Sequence, residues 1–175
     1  MLPAFKILPF FCFVVFIALL TASHTAQASK PRLLGTFGDW RAYVFTENGK
    51  KVCYMASEPK TDVGNYKQRG DIFALITHRP GDKTRDVFSY IAGYPYKSGS
   101  EVTVTANGRP HKLFTQDSTA WAPDSKSDKA LVSDIRNGSQ MVVKGTSKRG
   151  TATTDTFGLK GSTKAYTTIS KECGL

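Results

Sequence analysis

Three cysteines, three histidines and a surplus of basic side chains are the groups here whose types could do chemistry. Cys12 lies inside the apolar run ILPFFCFVVFIALL, Cys53 inside KVCYMAS, and Cys173 near the end of GSTKAYTTISKEC. A nucleophilic thiol needs a histidine base, and His78 and His111 stand in no protease or transferase pattern. A metal centre would need more Cys or His ligands at usable spacing than the chain offers. No G-x-S-x-G elbow is present, and KGTSKRG and LKGS lack the strand–loop–helix context of a phosphate loop. Asp124, Asp128 and Asp134 are too widely spread for a calcium loop. His78 follows a strand and precedes Arg79-Pro80, and His111 follows Pro110 in a hairpin arm, so both read as plain surface residues. The expectation is a non-enzymatic chain with no catalytic residue, cofactor or bound metal.

The cysteines acquire a meaning from the N-terminus. Lys6 precedes an apolar run over residues 7–20, and Ala26-Gln27-Ala28 closes a small, polar stretch. This is the grammar of a secretory signal, with cleavage expected before Ser29. The run is shorter than the ~20 residues of a spanning helix, so no membrane anchor is expected after cleavage. The remaining domain, residues 29–175, keeps Cys53 and Cys173 alone. Losing Lys6 lowers the net charge of +10 to +9. An oxidising compartment favours a Cys53–Cys173 disulfide. Ala165, Ile169 and Cys173 recur every four residues, so one helix face carries the sulfur toward the core. The bond would close a loop of about 120 residues, worth ~4–5 kcal/mol in the chain-entropy account.

A strongly basic exported domain attracts anionic surfaces. The partners expected are an unidentified protein or an anionic envelope or host-surface polymer, and not nucleic acid, from which export removes the chain. Arg79, Lys83 and Arg85 group across one turn as a candidate anion-binding set, and Lys144, Lys148 and Arg149 across another. The remaining charges are spread along the chain, as on any solvated domain. Phe88, Tyr90, Tyr94 and Tyr96 read as core packing, with a protein-contact patch as the alternative. Trp40 and Trp121 read as core fillers.

The elements that must position these residues are short strands. WRAYVFT and KVCYMAS flank Asn48-Gly49, a hairpin signal. EPKTDVGNYKQRG reads as a polar loop. DIFALITH and RDVFSYIAGYP follow, then EVTVTA and HKLFTQ around Asn107-Gly108. DKALVSDIRN has a helical period ending at Gly138. QMVVKGT and TATTDTFGLK are strands, and a terminal helix capped by Ser162 or Thr163 closes the chain. About eight strands with frequent turns and no βαβ unit predict a single, mainly β domain, an antiparallel β-sandwich with a short internal helix and a C-terminal helix.

Phe37-Gly38-Asp39-Trp40, KVCYMAS, Gly93-Tyr94-Pro95, AWAPDS around Trp121, and residues 141–173 together resemble the invasion-associated locus B family of exported bacterial proteins. The resemblance covers nearly all of residues 29–175. It implies an immunoglobulin-like β-sandwich in the periplasm or at the cell surface, and a link with host-cell invasion or virulence. It supplies no catalytic residues. Cys53 and Cys173 match the family's cysteines, whereas Arg41 to Val44 hold no further cysteine and so no second disulfide. Two other functions are weighed beside it: an envelope-stress or assembly factor binding anionic envelope polymers, and an uncharacterised hydrolase.

Overall fold

The computed structural model describes residues 28–175, so all of the expected signal segment except Ala28 lies outside the described residues. Eleven strands form one antiparallel sheet in the order β1-β2-β3-β5-β6-β9-β8-β7-β10-β11-β4. They are β1 (Arg32–Phe37), β2 (Trp40–Glu47), β3 (Lys50–Ser57), β4 (Thr61–Gly64), β5 (Phe73–Arg79), β6 (Thr84–Ile91), β7 (Glu101–Ala106), β8 (Arg109–Gln116), β9 (Thr119–Trp121), β10 (Gln140–Thr146) and β11 (Ala152–Gly158). Among the described residues there are two helices, α1 (Ser125–Asn137) and α2 (Ser162–Glu172). Among the described residues no helix is long and apolar enough to cross a membrane.

Turn chemistry builds the first layer. Asn48-Gly49 and Asn107-Gly108 both take positive φ, 51° and 73° in the first pair and 50° and 73° in the second. That is the backbone a two-residue hairpin demands, and Asn and Gly tolerate it. A twisted sheet this wide folds over on itself. Its two inner faces meet as a sandwich: the Trp40 indole on β2 donates to the Gly158 carbonyl on β11 at 3.2 Å, and Tyr90 on β6 packs edge-on against Phe157 on β11. Trp40, Met55, Ile76, Phe88, Met141 and Phe157 are fully buried between the layers. The mainly β, antiparallel architecture with an internal and a C-terminal helix is therefore as the sequence indicates, and its two layers share one continuous hydrogen-bonded ladder.

Three strands go beyond the eight expected. β4 is exposed along its whole length; it is a strand because it pairs with β11, not because of its composition. β9 has only three residues, and β1 carries a register shift at Gly35.

The helix ends also differ from expectation. Asp124 caps α1, accepting from the Ser127 amide at 2.7 Å. Gly138 follows α1 in an extended conformation, with φ −91° and ψ 172°, not a left-handed one. The N-cap of α2 is Gly161, in place of Ser162 or Thr163. Those two hydroxyls donate instead to the carbonyls of Ile135 and Arg136. They satisfy the orphan acceptors at the end of α1, so one helix start serves another helix's end.

Candidate functional site

The disulfide is present. Cys53 and Cys173 are bonded, with Cα atoms 6.0 Å apart. Cys53 lies mid-strand on β3, and Ala165, Ile169 and Cys173 are buried together as the four-residue spacing requires. The bond fixes the end of α2 to β3 and leaves no free thiol among the described residues.

Beside it sits His78, and here the surface reading fails. His78 is 0% exposed. It follows Ala74 and Ile76 on the inner face of β5, because strand side chains alternate. Its Nε2 lies 3.1 Å from the Ser170 hydroxyl, and Asp86 is close by, 3.9 Å from Nδ1. Serine, histidine and aspartate thus come together, but not as a triad. Nδ1 accepts the Asp86 backbone N–H at 3.1 Å, so the neutral ring carries its proton on Nε2 and donates to Ser170. A base must do the reverse. Asp86 is occupied elsewhere, accepting from the Tyr166 hydroxyl at 2.6 Å and from Arg85 Nε at 3.1 Å. Burial pushes the His78 pKa down, against the pull of Asp86.

His111 is half-buried and bonded 2.9 Å from Asp134 Oδ2. Arg109 also donates to that buried carboxylate, at 3.0 Å. The pair ties the β7–β8 hairpin to α1. Among the described residues no three His, Cys, Asp or Glu side chains are gathered for a metal ion.

The trio Arg79, Lys83 and Arg85 does occupy one turn, around a short 3-10 segment at Pro80–Asp82. Its charges are not equally available. Arg79 is paired with Glu47, and Arg85 with Asp86. Lys83 alone has no carboxylate within 4 Å among the described residues, and it adopts φ 55° at the end of the turn.

A second basic region, legible in the sequence only through Lys148 and Arg149, is more open. A hollow of about 1150 Å³ is lined by the loop at residues 65–70, by Gly93, Tyr94 and Pro95, and by the β10–β11 hairpin. Lys67, Arg69, Lys148 and Arg149 contribute to it, and among the described residues no carboxylate does. Arg69 forms its floor. Its guanidinium makes paired bonds of 2.6 and 2.7 Å to Asp155, and bonds to the Ala92 carbonyl and the Tyr90 hydroxyl. It also lies 4.8 Å from the centre of the Tyr94 ring. Burial works against its charge, but Asp155 together with Tyr90 and Tyr66 outweighs burial and holds the Arg69 pKa above its ordinary value. Lys144, grouped with Lys148 and Arg149 in the sequence, is exposed on β10 and does not line the hollow.

A smaller hollow of about 550 Å³ lies on the outer face, over Tyr43, Tyr54, Phe73 and Leu75. Its rim charges cancel: Arg41 pairs with Glu58 at 2.9 Å and Lys60 with Asp39 at 2.5 Å. Tyr90 and Tyr96 are buried and so are core packing, whereas Tyr94 is half-buried and lines the larger hollow. Trp40 is core, while Trp121 stays half-buried against Phe114 on the outer face.

Against known proteins, the family described as Invasion associated locus B (IalB) protein matches residues 40–170. No curated protein and no solved structure matches the chain.

Proposed function

The chain belongs to the invasion associated locus B family, and on that premise we propose that it is an exported, non-enzymatic binding module of the periplasm or cell surface, serving host-cell interaction. The observation that carries the reading is the contrast between two places. Where serine, histidine and aspartate meet, the histidine is sealed from solvent and its proton sits on the nitrogen facing the serine. Where the surface is hollow and charged, cations line it, and among the described residues no histidine, aspartate or glutamate does. The disulfide suits an oxidising compartment.

The experiment is capture of partners from envelope and host-membrane extracts by the processed chain, with a reduced control and an assay for released products. Enrichment of a discrete partner by the oxidised chain is expected. Turnover of the captured material would overturn the reading and favour a hydrolase. N-terminal sequencing of the envelope-derived protein should begin at Ser29.

A further inference from the structure

We propose that the hollow around Arg69 is a docking groove for an anionic saccharide chain, gripped by Lys67, Lys148 and Arg149. The inference rests on the binding-module reading and names a ligand class and a site for it. Charge is the first argument. Among the described residues, Lys67, Lys148 and Arg149 have no carboxylate within 4 Å, and all three are exposed. Elsewhere the basic side chains of the turn and of the outer hollow are largely neutralised by Glu47, Asp86, Glu58 and Asp39. A concave surface lined by one sign of charge concentrates its field and raises the local concentration of the opposite ion.

Anchoring is the second argument. The Lys148 amide donates to the Pro95 carbonyl at 2.7 Å, and Gly70 N–H to Gly93 O at 2.9 Å. These bonds fix both walls. Arg69, satisfied by Asp155, fixes the floor and needs no ligand of its own. The free cations are therefore held on braced loops, which lowers the ordering cost of binding.

Size and lining give the ligand class. At about 1150 Å³ the hollow exceeds a single small anion and the usual range of small-molecule pockets, ~300–1,000 Å³. Asn65 and Gln68 supply amides, and Tyr66 a half-exposed ring, beside the cations. Amides suit hydroxyls, and spaced cations suit repeated anionic groups.

The test uses the processed, oxidised chain and four probes: sulfated dextran, carboxylated dextran, uncharged dextran and polyphosphate. Both anionic dextrans should bind, uncharged dextran should not, and added salt should weaken binding. Joint replacement Lys67→Ser, Lys148→Ser and Arg149→Ser should weaken sulfated-dextran binding by roughly tenfold or more. Joint replacement of Arg79, Lys83 and Arg85 by Ser should change it by no more than about threefold. If the groove variant melts early, the milder pair Lys148→Gln and Arg149→Gln replaces it, with a loss of about fivefold or more, above that of the turn variant. Equal weakening by both variant sets would assign binding to diffuse net charge and overturn the groove. Failure of both anionic dextrans to bind at low salt would overturn it outright. Polyphosphate bound as tightly as sulfated dextran through the same three residues would leave charge alone as the determinant and overturn the saccharide assignment. None of these results touches the binding-module reading, which stands or falls on partner capture and product release.

Discussion

Arg69 shows how much of the interior depends on one charged side chain. Its partner Asp155 is 1% exposed at the side chain and Arg69 itself 4%. A buried pair is weak evidence for stability, yet removing one partner strands the other. Arg69→Met should therefore cost about 3–5 kcal/mol, because Asp155 is left buried without its cation. Arg69→Met with Asp155→Leu should recover a large part of that loss. Urea midpoints would show it, and a double variant no more stable than the single one would refute the argument. Neither residue was legible as a pair. Arg69 lies in EPKTDVGNYKQRG, which reads as polar loop, and 86 positions separate it from Asp155. His78 was readable and misread: alternation with Ala74 and Ile76 places it inside, while nearness to Pro80 suggests the surface. Cys53 and Cys173 are legible as a pair once Cys12 is assigned to the expected signal segment.

Among the elements, α2 is secured at both ends by different means. At its end, Cys173 is bonded to β3. Replacing Cys53 and Cys173 together by Ser should lower stability by about 4 kcal/mol. Amide exchange should then quicken in α2 before it quickens in β10 and β11, and uniform exchange would contradict the pinning role. At its start, Gly161 has φ +88°, and a Cβ there would strike the Phe37 carbonyl. Gly150 has a similar φ, +85°, with open space around it. Gly161→Ala should therefore destabilise by more than Gly150→Ala, which bears only the left-handed backbone penalty of ~1–2 kcal/mol. Thermal melts of the two variants compare them directly, and equal losses would remove the steric argument. The swap of capping duties at this junction was invisible to sequence reasoning. Ser162 and Thr163 have the residue types of a cap, and only the neighbouring end of α1 diverts them.

For the whole molecule, the class of fold was legible because alternation and Asn-Gly turns are local signals. That β6 joins β9, and β11 joins β4, was not, because those pairings are decided by what each edge meets after the sheet folds over. Acid response is likewise a property of the assembled interior. His78 is buried neutral with its pKa lowered by burial. As pH falls below ~6.5, the unfolded chain takes up a proton that the folded chain refuses, so this term removes stability. Asp128 acts the other way. Burial raises its pKa to about 6, even though it accepts the Phe88 amide at 2.9 Å. Between the ordinary carboxylate value and about 6 the folded chain holds the extra proton, so this term favours folding as pH falls. The two slopes oppose each other below about pH 6, each limited to ~1.4 kcal/mol per pH unit. Each group therefore offsets part of the other's effect on wild-type stability as pH falls. Asp128→Asn keeps an acceptor for Phe88 but deletes one slope, so the variant should lose stability more steeply than wild type on acidification from pH 6.5. His78→Gln should do the opposite. Urea midpoints at pH 4.5, 5.5 and 7.5 give the comparison. Parallel curves for wild type and Asp128→Asn would show that Asp128 does not hold its proton in the folded chain.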